Sequence, residues 1–125
     1  GFAEVGVPAG DLPLRFFGDY ICNTRAASGH DTAYLVGAAL GRTTTPGTLA
    51  LSYNYRDVEA DALLGVLAEA TFGGGGTDIR GHKFGFDYQL ARNTRFGLTY
   101  MMAKRTRSSE TNDFDVTMVD FTFRF

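Results

Sequence analysis

Asp115-Val116-Thr117-Met118-Val119-Asp120-Phe121-Thr122-Phe123-Arg124-Phe125 closes the chain, and from Val119 onward every second residue is apolar, with Asp120, Thr122 and Arg124 between. Side chains alternate across a strand, so a two-residue period gives this segment one greasy face and one charged face, continued to the terminal carboxylate. An amphipathic edge strand of a soluble sheet is the ordinary alternative. Such a strand would normally bury aliphatics against a core and would seldom finish on three aligned phenylalanines. A membrane barrel strand needs this pattern: the apolar face meets lipid, the polar face meets a wet lumen, and about ten residues tilted near 40° cover an apolar band of roughly 25 Å.

The bulk numbers look soluble. The 125-residue chain carries a net charge of -2, its mean hydropathy is close to zero, and no run approaches the roughly 18 apolar residues of a membrane helix. In a transmembrane barrel half the strand residues face water, so only the alternation carries the signal. Eleven Phe, six Tyr and 16 Gly against 3 Pro favour strands over helices. With the single Cys22 no intrachain disulfide can form, which excludes a small stapled secreted scaffold. The chain opens on Gly1-Phe2 without a signal peptide, and reads as a mature or truncated product.

Six further segments are read as strands. Residues 2–7 end a strand before a turn at Pro8-Ala9-Gly10-Asp11. Residues 12–23 put Leu14, Phe16, Gly18, Tyr20 and Cys22 on one face and Arg15, Phe17, Asp19 and Asn23 on the other, with Phe17 as the misfit. Residues 32–42 alternate Tyr34, Val36, Ala38 and Leu40 with Leu35, Gly37, Ala39 and Gly41, a second face that is nearly all small. Residues 48–57 set Leu49, Leu51, Tyr53 and Tyr55 against Ala50, Ser52, Asn54 and Arg56. Residues 80–90 oppose His82, Phe84, Phe86 and Tyr88 to Lys83, Gly85 and Asp87, and residues 94–104 oppose Phe96, Leu98 and Tyr100 to Arg95, Gly97 and Thr99. Within the long connection 58–79, Ala60 to Ala70 lacks a two-residue period and predicts a short helix, stopped by Phe72 and the glycines 73–76.

Short and long connections alternate. The turns near Gly10, Gly47 and Arg92 are short; the connections 24–31, 58–79 and 105–112 are long. Outer-membrane barrels have short periplasmic turns and long outer loops, so the rank order places the turns and Phe125 on the periplasmic side.

Particular motifs carry a resemblance. Gly10-Asp11-Leu12-Pro13-Leu14 leads into Phe17-Gly18-Asp19-Tyr20, Val58-Glu59-Ala60-Asp61-Ala62 precedes Phe72-Gly73-Gly74-Gly75-Gly76-Thr77-Asp78, and Gly81-His82-Lys83 opens the next strand. Together they resemble the putative porin family of Gram-negative outer-membrane β-barrels, with this chain as the C-terminal portion of longer members. The closing Phe121, Phe123 and Phe125 look like the signal that the barrel-assembly machinery reads. The resemblance implies no catalytic residues. Closed bacterial barrels have an even number of antiparallel strands from eight upward, whereas about seven are read here. Parity therefore predicts either missing N-terminal strands of the same barrel, the favoured reading, or several chains sharing one barrel.

Competing chemistry finds little footing. His30 and His82 lack the spacing of a zinc site. Ser52 lies on the polar side and His82 shares the face of Phe84, so no Ser/His/Asp triad forms. No Lys-Ser/Thr follows the four-glycine run, which reads as a hinge rather than a phosphate loop. With the Phe125 face toward lipid, the lumen receives Arg15, Arg56, Lys83, Arg95 and Arg124 with Asp19, Asp87 and Asp120. These charges either cross-pair along the wall or make a weakly anion-preferring pore, and only the connection 58–79 is long enough to fold inward as a constriction. Lys104 can snorkel toward lipopolysaccharide phosphates.

The sequence thus reads as all-β: an antiparallel up-and-down meander of about seven strands, the C-terminal part of one transmembrane β-barrel domain. The expected function is passive diffusion of small hydrophilic solutes or ions through a bacterial outer membrane, without enzymatic activity or a cofactor. Expected partners are the lipid bilayer, lipopolysaccharide, the barrel's N-terminal strands and the assembly machinery, with a homo-oligomer or larger outer-membrane complex possible and nucleic acid not expected. Two alternatives stand beside it: a scaffold barrel without an open pore, and a small soluble lipid-binding barrel with the apolar face turned inward.

Overall fold

The computed structural model describes residues 1–24, 32–59, 78–105 and 113–125. They form seven strands: β1 (Phe2–Ala9), β2 (Leu12–Cys22), β3 (Thr32–Gly41), β4 (Leu49–Val58), β5 (Ile79–Ala91), β6 (Thr94–Arg105) and β7 (Asp113–Phe123). All belong to one sheet in the order β1-β2-β3-β4-β5-β6-β7, and every neighbouring pair is antiparallel. This is the expected all-β meander. The sheet is open, with β1 and β7 as its edges. The predicted helix within 60–70, the glycine run, His30 and most of the three long connections lie outside the described residues.

Strand boundaries differ from expectation in instructive places. β1 continues through Pro8 to Ala9, so the first turn is only Gly10 and Asp11. Pro8 lies opposite Pro13 on an edge strand, where a missing N–H is tolerated. Gly10 has a φ of 64°, which suits the primed turns of two-residue hairpins. At the other end β7 stops at Phe123 rather than at the terminus. The backbone N–H of Arg124 instead donates to the Asn93 carbonyl at 2.8 Å. The hairpin between β5 and β6 has a register shift between Gln89 and Ala91, and the Gln89 Nε2 donates to the Ala91 carbonyl. This side-chain bond holds the bulge and the tight Arg92-Asn93 turn together.

Phe17, the misfit of the β2 pattern, has a structural reason. It lies opposite Gly37, and a Cβ built on Gly37 would sit 2.5 Å from the Phe17 ring and 2.6 Å from the Tyr53 carbonyl oxygen. The small residues of β3 therefore leave room on the polar face for one aromatic ring. The Arg15 guanidinium lies 5.6 Å from the ring centroid, a separation at which a cation and a π face attract.

Candidate functional site

Residues paired across neighbouring strands share a face, so the ladder register assigns every side chain to one side. The row Leu14, Leu40, Leu51, Phe86, Leu98 and Val119 runs unbroken from β2 to β7. Beside it toward the turns run Leu49, Tyr88, Phe96 and Phe121. Aromatic pairs stitch neighbouring strands: Phe96 lies 5.3 Å from Phe121, and Tyr53 lies 5.0 Å from Phe84. This large apolar face is exposed. Val119, Phe121 and Phe123 keep 57%, 58% and 59% of their surfaces open, whereas soluble monomers rarely expose contiguous apolar patches beyond a few hundred Å².

The apolar face ends in an ordered sequence of chemistries toward the long connections. First come amphipathic rings: Tyr34 is 6.0 Å from Tyr55, Tyr55 is 5.0 Å from His82, and the Tyr53 hydroxyl is hydrogen-bonded to His82 Nδ1 at 2.8 Å. A charged row follows, in which Asp57, Arg80, Lys104 and Asp113 stand in register across β4 to β7. Lys104 reaches Asp113 at 3.7 Å. From His82 to Leu90 the band covers about 27 Å along β5 at ~3.4 Å per residue, or about 20 Å once tilted by ~40°. That height is of the order of a bilayer's apolar layer.

The opposite face collects the sequence-predicted charges. Arg15, Asp19, Arg56, Lys83, Asp87, Arg95 and Asp120 all fall on it by register, and Arg124 stands just past the end of β7, in a cleft with Arg95 and Thr122. Several are brought together. Arg95 Nε lies 3.8 Å from Asp87 Oδ1, and Gly97 stands in register between Asp87 and Asp120. Arg56 donates to Asn54 Oδ1 at 3.3 Å. Two others sit apart at the β1 edge: Arg15 lies 3.8 Å from Glu4, and Asp19 lies 3.9 Å from the Gly1 ammonium. Glu4 was missed because the β1 pattern is too irregular to assign its side without the pairing to β2. Ser52 and His82 occupy opposite faces, so no triad forms from them.

The polar face is not uniformly polar. Near the long connections Ile79, Met101 and Ala103 are buried, with Val116 and Met118 packed against them, and Met101 is wholly covered. Alternation did not reveal this, because the period fixes the side of a residue and not what covers it. Of the three closing phenylalanines, Phe121 and Phe123 lie on the apolar face, while Phe125 is fully exposed beyond the strand.

The arrangement defines a class: an all-β antiparallel meander with one continuous apolar face and one charged face. Over residues 12–125 the chain matches the family described as putative porin, and it belongs to that family. No curated protein and no solved structure shows a significant match to the chain.

Proposed function

We propose that this chain forms part of the wall of an outer-membrane diffusion pore. Its apolar face contacts lipid, its charged face lines water, and small hydrophilic solutes or ions pass without chemical change. The observation that carries this reading is the exposed apolar face, bounded by tyrosines and then by the Asp57-Arg80-Lys104-Asp113 row. A barrel in lipid needs that order of chemistries from its mid-plane to its rim. Family membership supports the same reading and the outer membrane of a Gram-negative bacterium as its location. The partners follow: bilayer lipids and lipopolysaccharide along the apolar face, strands of the same barrel or a further copy at the edges of β1 and β7, and the assembly machinery at Phe121, Phe123 and Phe125. Unpaired strand edges in lipid cost several kcal/mol per backbone group, so such edges require a partner.

A second reading, a scaffold barrel with an occluded lumen, draws on the buried Ile79, Met101 and Ala103. Single-channel recording on the full-length protein in planar bilayers separates the two. Stepwise ohmic conductance is the expected result, and silent insertion, verified by protease protection, would select the scaffold.

A further inference from the structure

The turn end of the charged face holds a feature that the ladder alone does not display. Thr43 and Thr44 from the β3–β4 turn, Arg92 and Asn93 from the β5–β6 turn, Arg95 at the start of β6, and Thr122 and Arg124 at the end of β7 line one cleft of about 70 Å³. This is room for a few waters or one small oxyanion. Three arginines come together in its lining, and no Asp or Glu among the described residues does. The nearest acidic row lies one step further along the ladder, where Asp87 engages Arg95 at 3.8 Å and Asp120 stands across Gly97.

The backbone fixes this convergence. The Gly47 N–H donates to the Gln89 carbonyl at 2.8 Å and the Gln89 N–H donates to the Thr48 carbonyl at 2.9 Å, tying the first of these turns to β5. The Arg124 N–H bond to Asn93 ties the end of the chain to the second turn. Guanidinium forks and threonine hydroxyls are the donors that fit a tetrahedral or planar oxyanion, and Arg offers such a group two parallel N–H bonds.

We propose that this cleft is a binding step for small oxyanions, of the phosphate or carboxylate class, at the turn-side mouth of the pore. The inference rests on the diffusion-pore reading and adds a solute class to it. The Asp87 carboxylate shares Arg95, so a passing anion competes with an internal one. Binding is therefore weak enough for release, as conduction requires.

The test uses full-length protein in planar bilayers with a potassium chloride gradient, comparing wild type with R92Q/R95Q/R124Q and with R92Q alone. Wild type should prefer anions, the triple variant should lose at least about threefold of the anion-to-cation permeability ratio, and R92Q should fall between. Inorganic phosphate added on the turn side should reduce chloride current in wild type and not in the triple variant. Channels that conduct with unchanged selectivity and no phosphate effect overturn the inference while leaving the pore reading intact. If wild type does not conduct, the pore reading fails, and calorimetric titration of detergent-refolded protein with phosphate decides the cleft. Binding weakened in R92Q and lost in R92Q/R95Q/R124Q then supports the site, and absence of binding in wild type, or binding unchanged in the triple variant, overturns it.

Discussion

The two faces of the sheet use the same backbone and the same period, yet they distribute bulk and charge in opposite ways. On one face large side chains stand in unbroken rows and remain exposed: Leu98 touches the rows of Phe86 and Val119, and nothing polar interrupts them until the tyrosines. On the other face glycine, alanine and serine separate the charges, so that Asp87 and Asp120 flank Gly97 and the Phe17 ring rests over Gly37. The difference is the one that the proposed pore wall requires: uncovered bulk favours an apolar solvent, and spaced charges without dense pairing favour water.

The largest test of that contrast is a cation on each side of β6. Leu98→Arg should cost about 2–4 kcal/mol in bilayer-reconstituted protein, as for a cation near the midplane. Its neighbour Thr99→Arg, on the charged face, should cost far less; urea titration in lipid vesicles measures both. Equal costs would break the assignment of faces.

A second contrast concerns space. A Cβ on Gly81 would sit 2.0 Å from the Met102 carbonyl oxygen, which is backbone and cannot swing away, whereas a Cβ on Gly6 meets only the Leu14 oxygen at 4.0 Å. Gly81→Ala should lower refolded stability by about 1–3 kcal/mol, as forced overpacking does, and Gly6→Ala should leave it nearly unchanged. Melting curves in detergent compare them.

Smaller still is the rim pair Lys104 and Asp113, whose side chains are more than half exposed. A double-mutant cycle to alanine should give a coupling of about 0–1 kcal/mol, screened by salt. A larger, salt-insensitive value would mean that the row is buried in the working protein and is not a water boundary.

Phe125 marks the lower limit. It lies outside β7 and buries no surface in the structure, so Phe125→Ser should leave refolded thermal stability unchanged while sharply reducing the amount of full-length protein in the outer membrane. Quantitative immunoblotting of membrane fractions against the refolded melting temperature separates the two effects. Normal membrane levels would remove the assembly role.

Much of this organisation was legible in the residues, and the reason is specific. The two-residue period assigns a side to Phe84, Lys83, Leu98 and Arg124 without knowledge of neighbours, and loop lengths order the strands as a meander. What pairing across strands decides was not legible. Glu4 could not be assigned to Arg15 before β1 found its register, and the Phe17 misfit required Gly37 opposite it. The sequence reads Pro8 as a turn residue because proline supplies a turn's backbone angle, although an edge strand also accommodates it, its missing N–H facing away from the ladder. The arginine cleft draws on two turns and the end of β7, and no local pattern joins residues so far apart in sequence.

The central claim is that the Phe86-Leu98-Val119 face meets lipid and the opposite face meets water. Spin labels placed singly at residues 95–101 of β6 in full-length protein, with Cys22 replaced by Ala, test it most directly through the relative accessibility to oxygen and to a water-soluble nickel chelate. The account predicts a two-residue alternation, with Phe96, Leu98 and Tyr100 reached by oxygen and Arg95, Gly97 and Thr99 reached by the chelate. Reversed phase, or chelate access on both faces, would contradict it.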